Sequence, residues 1–182
     1  MQNNLSKNKI ILAITGATGA VLGIRALEML KQANAETHLI ISGPARLTIA
    51  QETDRSIAEI EALADINYQP EDIAAPIASG SYPTKGMLIL PCSIKTLSQV
   101  ANAQADNLIA RAADVCLKEG RSLVLAVRES PLHRGHIRLM DLAAASGAII
   151  APPMPIFYHR PQNLKEMTDQ IVARLIQRLG IP

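Results

Sequence analysis

Tryptophan is missing from this 182-residue chain, phenylalanine occurs once and tyrosine three times. The core must therefore be packed from Ile, Leu, Val, Ala and Met. Cysteine is as scarce: Cys92 and Cys116 are the only two, far apart and outside any C-x-x-C pair. That spacing argues against a zinc site or a disulfide framework, and both thiols are expected to stay reduced. Charge of one sign is lacking too. The 18 basic and 16 acidic residues leave a net +2, too little for a nucleic-acid groove. No apolar run approaches the ~20 residues of a membrane span. Residues 1–8 are polar, are expected to fray and hold no signal-peptide core, so a cytoplasmic location is the expectation.

What is present suffices for one domain over residues 1–182, with a hydrophobic share of 48% and a length that can bury a substantial core. The chain is organised around Ile10-Ile11-Leu12-Ala13-Ile14-Thr15-Gly16-Ala17-Thr18-Gly19-Ala20-Val21-Leu22-Gly23. Its apolar run predicts a strand buried on both faces. The glycines then turn the chain into a helix reaching about residue 33, whose Ala26, Leu27, Leu30 and Ala33 should face the sheet. Such a helix N-terminus suits a phosphate, with the Thr15 and Thr18 hydroxyls as added donors. A tight turn without a ligand is the alternative. The glycines fall as Gly16-x-x-Gly19-x-x-x-Gly23, not as the dinucleotide G-x-G-x-x-G, and the second strand, residues 37–41, ends in Ser42-Gly43-Pro44 without an acidic residue for a ribose. No tyrosine precedes a lysine by four residues, as a short-chain dehydrogenase would require. A mononucleotide fits better than NAD.

Further along, Pro44 suits the first turn of a helix over residues 45–51. Glu52 reads as its solvated end. Ser56 and Glu59 form a capping box for a helix over residues 56–64. Residues 67–85 read as irregular, and residues 86–90 as another buried strand. Ser93 reads as the N-cap of a helix to residue 101, and with Lys95 and Thr96 makes a second candidate anion site. Asp106 reads as the cap of a helix over residues 107–118, with Leu108, Ala112 and Val115 buried. On another face stand Arg111, Asp114 and Lys118, which read equally as a solvated face with an Asp114–Lys118 pair. Residues 122–127 form a strand that empties into Arg128-Glu129, and a helix follows over residues 137–145. His133 and His136 are three apart but lack a third ligand, so no metal is expected. After a short strand at residues 148–151 comes a stiff, proline-rich loop that concentrates Phe157 and Tyr158. The last helix covers residues 163–179, with Ile171, Leu175 and Leu179 as its apolar stripe and Arg174 and Arg178 off it.

Strands alternate with helices, and every link is long enough for a crossover. This predicts an α/β fold, a parallel sheet with helices on both faces. Ligands bind such sheets beyond the C-terminal strand ends. Residues 15–19, Ser42, residues 93–96, Arg128-Glu129 and the Tyr158 loop should all meet there. Hydroxyls, N–H groups, arginines and a carboxylate on one edge suit phosphate recognition and acid–base chemistry.

These residues resemble the UbiX flavin prenyltransferases. The matching stretches are Thr15-Gly16-Ala17-Thr18-Gly19-Ala20, Glu52-Thr53-Asp54, Ala78-Ser79-Gly80-Ser81, Pro91-Cys92-Ser93-Ile94-Lys95-Thr96-Leu97, Asn107-Leu108-Ile109-Ala110-Arg111-Ala112-Ala113-Asp114-Val115, Val127-Arg128-Glu129-Ser130-Pro131-Leu132-His133 and Phe157-Tyr158-His159-Arg160-Pro161. Each is weak alone; the ordered set, spanning nearly the whole chain, is specific. The resemblance implies a flavodoxin-like three-layer αβα sandwich that binds FMN. It implies transfer of a dimethylallyl group from dimethylallyl monophosphate to reduced FMN, at N5 and then C6, without a metal. The product would serve a UbiD-type decarboxylase, and the family assembles as dodecamers with sites between subunits.

Carried over, Gly16, Ala17, Thr18, Ser42, Ser93, Ile94, Lys95, Thr96 and Arg128 would contact FMN. Arg111, Lys118, Arg128, Glu129, Tyr158 and Arg174 would surround the prenyl phosphate, some from neighbouring subunits, and Glu52 with Thr18 would handle protons at the flavin. Two departures stand out. Thr18 occupies a position where the family often has serine, and the tryptophan often found beyond the family's last helix has no counterpart here. A cysteine decarboxylase of the same fold and a non-catalytic flavin carrier are the rival readings. A diphosphate donor is the alternative to the monophosphate.

Overall fold

The structure, a computed structural model, describes residues 8–181; the expectation of fraying at the start falls on residues outside these, apart from Asn8. Six strands, β1 (Lys9–Ile14), β2 (Glu36–Ile41), β3 (Ile66–Tyr68), β4 (Gly86–Cys92), β5 (Ser122–Val127) and β6 (Ile149–Ile150), form one sheet in the order β3-β2-β1-β4-β5-β6. Every pairing is parallel. Helices α1 (Ala20–Gln32), α2 (Gly43–Glu52), α3 (Ile57–Glu61) and α7 (Leu164–Gln177) belong to one face; α4 (Ile94–Ala101), α5 (Leu108–Lys118) and α6 (Arg134–Ala145) belong to the other. Without the short edge strand β3, the order is that of flavodoxin-like sheets.

The pleat divides the core. Ile10, Leu12 and Ile14 of β1 pack under α1 and α7, while Ile11 and Ala13 pack under α5. All five are fully or almost fully buried, as a strand covered on both faces requires. Gly23 lets α1 lie close on the sheet: a Cβ there would stand 2.5 Å from Leu90 O and 2.9 Å from Ile14 Cγ1. The strand order reverses between β1 and β4, the switch point where such sheets bind ligands. Thr15 ties that point together. Its hydroxyl donates to Pro91 O at 2.7 Å and accepts the Ser93 N–H at 2.8 Å.

Several local readings are corrected. Residues 67–85 are not wholly irregular, since β3 pairs its backbone with β2; three residues with Ile66 exposed leave no apolar pattern to detect. Asn107, not Asp106, caps α5, its side chain accepting the Ala110 N–H at 3.0 Å. Helix α6 starts at Arg134 instead of Ile137, because His133 Nδ1 caps it by accepting the Gly135 N–H at 3.0 Å. Helix α3 stops at Glu61. Ala33 is exposed as the C-cap of α1 instead of facing the sheet. The Asp114–Lys118 pair gives way to Arg111–Asp114 at 3.0 Å and Lys118–Glu119 at 2.5 Å.

Candidate functional site

The free end of α1 is where a phosphate was expected. Gly19, at φ 101°, turns the chain into the helix and aims its first N–H groups outward. They are already taken: Glu52 Oε2, at the end of α2, accepts from Gly19 N and from Ala20 N, both at 2.9 Å. The Thr15 hydroxyl, engaged with Pro91 and Ser93, is 1% exposed and unavailable. Gly16 packs on Pro44, where a Cβ would collide. The α1 terminus is thus a carboxylate site built by the chain itself, not a phosphate cradle.

Burial disfavours the charge on Glu52. The Thr18 hydroxyl, the Gly19 and Ala20 N–H groups and the nearby Arg128 outweigh it and hold the carboxyl below its ordinary range. At neutral pH Glu52 is therefore a carboxylate, able to accept a proton but carrying none to donate.

The second candidate anion site stays open. Ser93 caps α4, accepting the Thr96 N–H at 3.3 Å and meeting the Thr96 hydroxyl at 3.1 Å. Leu97 makes the first backbone bond of the helix, to Ser93 O at 2.9 Å. The N–H groups of Ile94 and Lys95 precede it and lie outside the helical ladder, at the positive end of the dipole. Such N–H groups suit an anion. Ser42 caps α2 through the Ala45 N–H at 3.2 Å. Arg128 and Glu129 follow β5 and are exposed, Glu129 accepting the Ser130 N–H at 3.0 Å.

The remaining cations stand elsewhere. Arg111 of α5 donates to Ala78 O at 3.1 Å and pairs with Asp114. Lys118 ends α5 just before β5 begins, at the opposite edge of the sheet from Glu52, where it pairs with Glu119 and abuts Gly80. Near the end of α7, Arg174 donates to the Tyr158 hydroxyl at 3.1 Å, and both line a cavity of about 830 Å³ under the proline-rich loop. Thr18, Glu52 and Arg128 are thus brought together within one chain; Arg111 and Lys118 are not brought to them.

Comparison with known proteins gives this geometry its context. The flavoprotein family model matches residues 1–175. Flavin prenyltransferase UbiX of Salmonella typhimurium is 54% identical over 175 residues, covering 96% of this chain and 93% of that one. The chain belongs to the UbiX flavin prenyltransferases. A solved structure of AnUbiX in complex with FMN and dimethylallyl pyrophosphate superposes with a TM-score of 0.94 at 44% identity, covering 96% of this chain and 93% of that one. A dodecameric FMN-dependent UbiX-like decarboxylase from Escherichia coli O157:H7 gives a TM-score of 0.92 at 46% identity, over 94% of each chain.

Cys92 and Cys116 are free and buried, and burial pushes both thiols up to about 12, which leaves them unreactive. Among the described residues no cluster of three His, Cys, Asp or Glu could hold a metal, and no helix is long and apolar enough to cross a membrane. Sequence reasoning missed Arg121, which fastens residues 80–84 by donating to Tyr82 O at 2.8 Å, Thr84 Oγ1 at 3.2 Å and Gly80 O at 2.6 Å. A lone arginine between a glycine and a strand gives no signal for such a clamp.

Proposed function

We propose that residues 1–182 form one flavoprotein domain that transfers a dimethylallyl group from dimethylallyl phosphate to reduced FMN. The observation that carries this reading is Glu52, held as a carboxylate beside Thr18 and Arg128 at the switch point of a chain so close to the flavin prenyltransferases. The open α4 terminus, with Ser93, Ile94, Lys95 and Thr96, would take the FMN phosphate. Ser42 and the 16–18 turn would border the rest of the flavin, and Arg128 would face both phosphates. When bound there, reduced FMN would supply the electron pairs for the new bonds, at N5 and then C6.

The chain's own task is to neutralise, orient and accept protons. Cations and hydroxyls around the departing phosphate lower the cost of breaking an allylic C–O bond. Tyr158, Arg174 and Glu129 would form one side of that clamp. Arg111 and Lys118, distant from Glu52 within the chain, would complete the site of a neighbouring subunit in a homo-oligomer, a dodecamer like that of the UbiX-like relative. Glu52, charged and relayed by Thr18, would accept the proton released on ring closure. The product would pass to a UbiD-type decarboxylase. An anaerobic reaction of the purified protein with reduced FMN and dimethylallyl phosphate tests this. A prenylated flavin mass with matching phosphate release is expected; bound but unchanged FMN with no phosphate released overturns it.

A further inference from the structure

Arg121 welds together two pieces of chain. Its backbone belongs to the end of α5. Gly120, at φ 64°, closes that helix with its N–H on Leu117 O at 3.1 Å, and the Arg121 N–H follows on Cys116 O at 2.8 Å. This paired closure fixes where the chain leaves the helix, three residues after Lys118. The Arg121 side chain belongs to residues 78–84. Nη2 donates to Gly80 O at 2.6 Å, and Nη1 donates to Tyr82 O at 2.8 Å and to Thr84 Oγ1 at 3.2 Å. One planar guanidinium carries all three bonds in a fixed fork, which a lysine cannot reproduce.

The segment held in this way runs past both α5 cations. Arg111 and Lys118 are seven residues apart on one face of the helix, about 10 Å along its axis. Arg111 Nε donates to Ala78 O at 3.1 Å. Gly80 lies against the other cation: a Cβ there would overlap the Glu119 carboxylate and stand 2.7 Å from Lys118 Nζ. Holding loop carbonyls is a structural task that needs no second cation beside them. Here the shortest of the three bonds ends on the glycine whose missing side chain makes room for Lys118. Lysine is a flexible stem with a compact charge. A fixed backbone wall beside Nζ restricts where that charge can stand before an anion arrives, and such restriction is what brings bound groups into reacting geometry.

We propose that Arg121 is a positioning residue for the donor phosphate: by holding Gly80 against the end of α5, it sets where the Lys118 ammonium stands in the site that Lys118 serves. This rests on the transferase reading above. Arg121 itself touches neither flavin nor donor, and it acts through the 78–84 segment alone.

The test compares the parent oligomer with Arg121→Gln, Arg121→Lys and Gly80→Ala. Arg121→Gln removes the fork. Gly80→Ala keeps it and instead displaces the far ends of two flexible side chains, Lys118 and Glu119, at little cost to the fold. Calorimetric titration of protein loaded with oxidised FMN, using dimethylallyl monophosphate, reads donor binding without transfer. Anaerobic turnover with reduced FMN reads KM and kcat. Fluorescence quenching and urea midpoints read flavin affinity and stability. In Arg121→Gln and in Gly80→Ala the donor Kd and KM should rise about tenfold, the size of one weakened charge-assisted bond, with flavin affinity as in the parent. Arg121→Lys should fall between. A lower urea midpoint in Arg121→Gln with the parent's donor Kd and KM makes Arg121 a structural clamp only and overturns the proposal. An equal loss of flavin affinity overturns it too. Should Arg121→Gln fail to fold, Arg121→Lys decides, and a parent-like donor Kd there overturns the proposal. A folded, FMN-binding parent that transfers nothing overturns the transferase reading itself.

Discussion

The switch-point cluster and the α5 face are built on opposite principles. At the switch point, Glu52 has its acceptor bonds filled by Gly19 and Ala20, and its position is fixed by two helix ends. On α5, half-buried Arg111 and exposed Lys118 hold neighbouring carboxylates and a carbonyl, with no helix end to fix them. Apolar and aromatic side chains are left open on α6 and the proline-rich loop: Ile137 is 56%, Phe157 71% and Tyr158 72% exposed. On the proposed reading, one chain thus completes the proton-accepting half of the site and leaves the phosphate-clamping half to its neighbours. The fold supplies the carboxylate by itself because a helix end can satisfy it. Several cations converging on one phosphate repel one another until the anion arrives, so they are more easily brought in on separate chains.

The largest effect should come from the preorganised half. Glu52→Gln keeps the shape but removes the charge and the proton acceptor, and kcat should fall on the order of 10²- to 10⁴-fold. FMN affinity, read by fluorescence quenching, should change little, because the α4 terminus is untouched. A fall confined to FMN affinity would show Glu52 to be only a helix cap. The division between the halves is then tested by mixing. Lys118→Ala should be nearly inactive alone, and so should Glu52→Gln. Oligomers reassembled from both variants should regain part of the parent activity, because some sites would combine an intact Glu52 from one chain with an intact Lys118 from another. No recovery in demonstrably mixed oligomers would place the two residues in one chain's site.

The contrast also explains what the sequence could disclose. Strands with continuous apolar runs and helices with local caps are legible, since the signal and its cause lie within a few residues; the Ser56–Glu59 capping box forms as read. Glu52 is the exposed end of α2, as read, but its bonds to Gly19 and Ala20 escape notice because those residues stand more than thirty positions earlier. Thr15 looks like a free phosphate donor because Pro91 and Ser93, which occupy it, are over seventy residues on. Its role and that of Glu52 follow from β1 lying beside β4 and from the meeting of α1 and α2, which no local pattern encodes. Only the resemblance, which carries the ordered set of motifs, raised Glu52 above its neighbours.

A smaller effect separates the switch point's scaffold from its chemistry. Gly23→Ala puts a methyl against Leu90 O and Ile14. Overpacking of this kind costs about 1–3 kcal/mol, and the loss should appear as a lower urea midpoint with an unchanged slope. Activity of the folded fraction should fall as well, because α1 carries the N–H groups that hold Glu52. Full activity per folded molecule would show that Glu52 tolerates a displaced α1.

The smallest effect concerns acid, and it should reach the two regions in sequence. Residues 80–84 lie beside Lys118, and Tyr82 anchors them inward: Lys9 donates to its hydroxyl at 2.9 Å, and its ring meets the edge of the His38 ring at 5.5 Å between centroids. His38 is fully buried, with Nδ1 3.0 Å from the Tyr68 hydroxyl and Nε2 3.2 Å from Glu36. A neutral ring satisfies both, donating from Nε2 to the carboxylate and accepting the tyrosine proton at Nδ1. Burial holds its pKa below the ordinary 6.5, against the pull of Glu36. The unfolded chain therefore binds the extra proton first, and the stability that His38 contributes declines as pH falls below about 6.5. Glu52 is also held low, but from an ordinary value of 4.5, so its contribution declines only in more acid solution. Hydrogen-exchange protection factors between pH 7 and pH 4 should drop first around residues 80–84 and later at Gly19 and Ala20. His38→Gln should flatten the first drop and leave the second. Loss of protection at Gly19 and Ala20 before the Tyr82 segment would reverse the comparison, making the switch point the more acid-sensitive half.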